Sequence, residues 1–140
     1  MRAIKSLNYQ SPFSKKDLKV VMSHDSFYMT QVQMSKLFCC GVKDVYILLK
    51  TLFASGELEE SFVNRSIEIE NYEGRYVSGN FYNLDAIIAV GYRLNPKEAT
   101  HFHIWSTQML KIHLYETSAT REYGIIESIR RKFSHMLAVA

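Results

Sequence analysis

The chain has 140 residues, of which 47% are hydrophobic and 13% aromatic. That excludes a disordered polypeptide and suits one domain around a single core. The only two cysteines are adjacent, so no disulfide framework is available and a reducing, cytoplasmic setting is expected. The net charge of +3 is uneven: residues 1–53 carry eight Lys or Arg against three Asp or Glu, residues 54–99 four against eight, and residues 100–140 five against three. Scattered lysines often do no more than solvate a surface, but a positive face for phosphate would belong in the first 53 residues.

Residues 1–17 read as an irregular N-terminal arm interrupted by Pro12, with no apolar segment of the kind a signal peptide needs. Leu18 to Met22 and Phe27 to Met29 read as short strands around a Ser23-His24-Asp25-Ser26 turn.

The stretch TQVQMSKLFCCGVKDVYILLKTLF, Thr30 to Phe53, spells a helix-turn-helix. Thr30 and Gln33 form a capping box, which starts a helix by satisfying its first free N–H groups. Met34, Leu37 and Phe38 give that helix one apolar side, and Cys39, Cys40 and Gly41 supply a turn. Val45, Leu48, Leu49 and Leu52 give the second helix its own apolar side, ending near Ser55-Gly56. Two such helices bury these sides against each other. The outer side of the second, with Lys43, Asp44, Tyr46, Ile47, Lys50 and Thr51, is left to enter a major groove. A plain two-helix core segment has the same apolar spacing.

Glu57 to Ser61 reads as an acidic link. RSIEIE, Arg65 to Glu70, alternates as a half-buried strand does, Asn71-Tyr72-Glu73-Gly74 supplies a turn, and Arg75 to Tyr82 returns with Gly79 as a bulge. A hairpin after a helix-turn-helix has the order of a wing. Its Asn71, Tyr72 and Arg75 suit sugar-phosphate contact, while Glu68, Glu70 and Glu73 suit an ordinary covering hairpin. Asn83 caps a helix to about Leu94 with Leu84, Ile87, Ile88 and Gly91 on one side, and Asn95-Pro96-Lys97-Glu98 starts another. Its Phe102, Trp105, Met109 and Ile112 follow at core spacing. The longest apolar run, Ala86 to Val90, is far too short to cross a bilayer, so no membrane partner is expected.

FYNLDAIIAVGYRLN (residues 81–95) followed by FHIWSTQMLK (102–111) resembles the signature of the RhuM-type bacterial virulence protein family. TQVQMSKLF (30–38) and SGEL (55–58) resemble the same family's N-terminal part, so the likeness spans roughly residues 20–113. The T-Q opening is also similar to that of phage antirepressor N-terminal domains. The resemblance implies a winged-helix-like DNA-binding region, with Thr30 and Gln31 at a phosphate-facing helix start and Lys43 and Lys50 at basic or polar positions. Departures are Asp44, Tyr46 and Leu48 on the second helix, Cys39 where a small residue, often Gly, is usual, and His103 where Arg is expected.

Residues 115–140 depart from the family and read as a divergent helix with Ile125, Ile126, Ile129, Phe133, Met136 and Leu137 as an apolar stripe. Docking on the domain, a homodimer seam, and filling of space left by a lost C-terminal region are uses open to it, and binding at a membrane surface is a further, less favoured one, since a single stripe is more often core.

No enzyme is expected. His101 and His103 lie about 200° apart on a helix and cannot share an ion, so no metal is expected. Cys39 and Cys40 read as structural more readily than as reactive thiols. No phosphate-cradling glycine loop is present, and the His-Pro-Phe and Gly-Asn motif of filamentation-type adenylyl transferases is missing.

The expectation is an α+β chain: an arm over residues 1–17, a winged helix-turn-helix-like domain with a β-hairpin wing and further helices over 18–114, and a divergent helix over 115–140. It would be a cytoplasmic transcriptional or mobile-element regulator without cofactor, binding duplex DNA through Thr30, Gln31, Lys43, Tyr46, Ile47, Lys50, Tyr72 and Arg75. The alternatives are an antirepressor-like module that binds a protein regulator and a truncated remnant of a longer RhuM-like protein.

Overall fold

The computed structural model describes the backbone of residues 5–23 and 26–133, and side chains as far as residue 115. The middle of the expected Ser23–Ser26 turn and the side chains of the apolar stripe from Ile125 to Leu137 lie outside the described residues. Two units are distinguished, Met1–Ser106 and Thr107–Ala140.

The first unit carries strands β1 (Lys5–Gln10), β2 (Asp17–Ser23) and β3 (Ser26–Met29). Helices α1 (Gln31–Leu37), α2 (Val42–Ala54) and α3 (Glu60–Val63) follow, then strands β4 (Asn64–Glu70) and β5 (Tyr76–Asn83) and helix α4 (Leu84–Leu94). Helix α5 (Pro96–Phe133) begins in the first unit and supplies the second, which is helical from Thr107 to Phe133. The strands form one antiparallel sheet in the order β1-β2-β3-β5-β4. The expected α+β class is therefore met.

Alternation along each strand decides the core. Tyr9, Leu18, Val20, Met22, Phe27, Met29 and Tyr82 share one face through the pairings Tyr9↔Leu18, Met22↔Phe27 and Met29↔Tyr82, and all are buried. Helical side chains cover that face. Tyr9 stacks on Phe102 at 5.1 Å, Trp105 lies 5.1 Å from Phe27, and Phe53 stacks on Tyr82 at 6.4 Å. The opposite face holds a smaller buried cluster of Val21, Tyr28, Ile67 and Phe81.

The N-terminal arm differs from its expected irregular form, because residues 5–10 are strand β1. Only Tyr9 of this strand is buried, so its hydrophobic alternation is faint, and pairing with β2 supplies the order that side-chain pattern does not. The loop after β1 is anchored by Ser11. Its hydroxyl donates to Glu98 Oε1 at 2.6 Å and accepts the Phe13 and Ser14 N–H groups, while Glu98 Oε2 is buried without a partner. Lys97 Nζ lies 4.0 Å from the Phe13 ring centroid and His101 meets that ring edge-on at 4.6 Å. The link read at Glu57 to Ser61 contains the start of α3. Gly79 is not a bulge: the β4–β5 register runs unbroken from Asn64↔Tyr82 to Glu70↔Tyr76.

Candidate functional site

Helices α1 and α2 enclose the feature singled out in the sequence. Thr30 Oγ1 accepts from the Gln33 N–H at 3.1 Å and Gln33 Oε1 accepts from the Thr30 N–H at 3.0 Å, so the capping box is complete. The Gln33 amide also donates to the Lys19 carbonyl at 2.9 Å, tying the helix start to β2. Helix α1 stops at Phe38 as Cys39 turns left-handed (φ +56°) and the Cys40 N–H reaches back to the Ser35 carbonyl at 3.0 Å. Gly41 then caps α2, and its N–H donates to Asp44 Oδ2 at 3.1 Å. Asp44 is thus turned back onto its own helix start, where a carboxylate favours the dipole.

Val45, Leu49 and Leu52 bury one side of α2 with Met34, Leu37 and Phe38 of α1. Leu48, expected with the buried set, is only partly covered. The opposite side presents Lys43, Tyr46, Ile47 and Lys50, all exposed. Lys50 Nζ sits 5.6 Å from the Tyr46 ring centroid, a cation–π contact that holds the ammonium over the helix surface. Thr51 hydroxyl donates to the Ile47 carbonyl at 2.9 Å and so faces its own helix.

The other proposed contacts are placed differently. Thr30 is half-buried and its hydroxyl oxygen is engaged in the cap. Gln31 donates its amide to the Tyr82 hydroxyl at 3.1 Å, so its side chain joins α1 to β5. Tyr72 stands fully exposed at the tip of the β4–β5 hairpin. That tip is closed by Asn71, whose Oδ1 accepts the Glu73 and Arg75 N–H groups at 2.9 and 3.0 Å, and by Gly74 at φ +76°. Arg75 Nε lies 3.8 Å from Glu73 Oε2, with both side chains in water.

A clamp behind the helix pair was not foreseen. Gly91 of α4 lies against the Phe38 ring, where an added Cβ would collide with it and come within 2.8 Å of the Ala99 Cβ. Asn95 then donates its amide to the Phe38 carbonyl at 3.0 Å while accepting the Glu98 N–H at 3.3 Å. Gly91 was legible only as a residue on the inner side of its helix; the partner waiting for it was not. The α1–α2 turn is therefore held from behind by the α4–α5 corner.

Burial pushes the Cys40 thiol above its ordinary range, with Asp44 and Cys39 adding to the effect. His101 and His103 have separate neighbours, Phe13 and the Tyr92 hydroxyl. Among the described residues no group of three or more His, Cys, Asp or Glu is arranged to hold a metal. No described helix is long and apolar enough to cross a membrane.

Residues 62–122 match the profile of the virulence protein RhuM family. The matched stretch takes in the hairpin, α4 and much of α5, including both signature segments, and continues past His113, where the likeness was expected to stop. The α1–α2 pair precedes it. No curated protein and no solved structure matches the chain.

Proposed function

We infer that this chain, a RhuM family member by its match over residues 62–122, binds duplex DNA as a regulator. In this reading α1 and α2 act as a helix-turn-helix and the β4–β5 hairpin as its wing. The observation that carries it is the outer side of α2, where Lys43, Tyr46, Ile47 and Lys50 are exposed together on a helix whose other side is fixed in the core. A helix held in this way enters a major groove as a rigid body, with lysines on phosphate or guanine and Tyr46 and Ile47 against sugars and thymine methyls. Asp44 is exposed on the same helix and keeps its charge, but the Gly41 N–H turns one of its oxygens back toward the helix start. Tyr72 and Arg75 at the hairpin tip reach the flanking backbone. Thr30 supports the face through its cap and Gln31 through Tyr82.

Fluorescence anisotropy with a mixed-sequence duplex over a salt series tests the reading. Affinity should fall with salt, and a Lys43/Lys50→Ala variant should lower the logarithmic salt slope by roughly one for each phosphate contact removed. Absence of binding at low salt defeats it. A second reading, recognition of a protein regulator, is favoured by the half-exposed Tyr46 and Ile47 beside Val42, also exposed. Val42→Asp separates the two: it lies outside the proposed DNA contacts, so it should leave DNA binding in place and weaken association with a protein regulator.

A further inference from the structure

The sheet is split along part of its length. Strand β5 has eight residues, but β3 pairs only with its last two, Tyr82 and Asn83, before the chain leaves the sheet at Thr30 to form α1. A cleft of about 410 Å³ opens between β1–β2 on one side and β4–β5 on the other. That is the size of a small-molecule site. Gln33 of α1 stands beside it, its amide already bonded to the Lys19 carbonyl.

The lining has three chemical parts. Val21, Ile69 and Phe81 share one face of the sheet through the pairings Val21↔Tyr28, Tyr28↔Asn83 and Arg65↔Phe81. Val21 and Phe81 are buried and Ile69 is half-exposed, so they give the cleft an apolar patch. The β1–β2 side adds Lys5 and Lys19, and β4 adds Glu68 and Glu70. Neither lysine nor Glu70 is in an ion pair among the described residues, whereas Glu68 is already engaged. Unneutralised charges of both signs therefore line one cleft beside an apolar patch.

This lining discriminates among ligand classes. A simple anion meets the Glu70 charge, a simple cation meets the lysines, and a neutral apolar molecule leaves both signs unanswered. A molecule with one charge of each sign and an apolar body meets none of these obstacles. We propose that the cleft binds a small zwitterion, an α-amino acid with a large apolar side chain. Lys5 and Lys19 take its carboxylate, Glu70 takes its ammonium, and its side chain lies on Val21, Ile69 and Phe81. The flexible four-carbon stem of lysine lets each ammonium adjust to a ligand of this size. This site is separate from the α2 face and does not depend on DNA binding.

The probe is L-phenylalanine, titrated into the full chain and followed by amide resonances. A ligand this small should saturate at roughly 0.1–1 mM, with shifts of the Val21, Ile69 and Phe81 amides. Phenylalaninamide lacks the carboxylate, N-acetylphenylalanine lacks the ammonium, and glycine lacks the apolar body. Each should bind about tenfold more weakly or worse. A Lys5/Lys19→Ala variant should weaken phenylalanine without weakening phenylalaninamide, and Glu70→Gln should weaken phenylalanine without weakening N-acetylphenylalanine. All three side chains are exposed, so these variants keep the fold. No binding up to about 10 mM, a singly charged analogue binding as well as phenylalanine, or shifts confined to other residues overturns the proposal. So does equal binding of N-acetylphenylalanine amide, which carries neither charge and stands for a residue inside a peptide.

Discussion

Cys39 shows how one residue's backbone reports on its neighbours. An L-residue at φ +56° carries a steric cost that glycine avoids, and the Schellman-type bond from Cys40 to Ser35 requires that conformation. Glycine's larger freedom in the unfolded chain offsets part of the relief. Cys39→Gly should therefore raise stability by roughly 0.5–1 kcal/mol in urea unfolding, with the slope unchanged. The resemblance had marked this position as one where a small residue is usual, and the left-handed turn is the physical reason. Tyr9 makes a second case. Burial first, and repulsion from Glu98 second, raise its phenol to about 12. In the unfolded chain it ionises near its ordinary value of 10.0. Above that pH the unfolded state has shed a proton the folded state keeps, so Tyr9's contribution to stability is full below pH 10 and is lost as pH climbs toward 12. Denaturant midpoints measured across this window should fall with pH, and Tyr9→Phe should flatten the decline.

At the scale of elements, helix ends were the most legible part of the chain. Thr30, Asn83 and Asn95 accept the N–H groups that their spacing assigns to them, because capping is decided within four residues. Strand pairing was less legible. β1 has one buried side chain and so leaves little periodic trace, and the suggested Gly79 bulge fails because β4 and β5 match residue for residue. The candidate face on α2 was legible from helical geometry, but the roles of Gln31 and Gln33 were not. Their partners, Tyr82 and the Lys19 carbonyl, come from other strands. The clamp on Phe38 leads to a prediction at this scale. Gly91→Ala places a methyl where the Phe38 ring and the Ala99 Cβ already stand, although alanine is the better helix former. Overpacking should win, lowering stability by about 1–3 kcal/mol in thermal or urea unfolding. If helix propensity won instead, the melting temperature would rise.

For the molecule as a whole, the strand order β1-β2-β3-β5-β4 places β3 beside β5, across the whole α1–α2–α3–β4 excursion. Local patterns cannot disclose such pairing, which closes a long loop and gains its energy only when the far partner arrives. The match over residues 62–122 leaves out α1 and α2, so the helix pair's surface has to be judged on its own physics. The clamp has a temporal side as well. Asn95, which bonds the Phe38 carbonyl, is made 57 residues after it. Chains are built from the N-terminus. On a ribosome, α1 and α2 emerge with Phe38 still uncovered, and the corner that secures them exists only once α4 and the start of α5 have been translated. The helix pair is thus made before the corner that holds it.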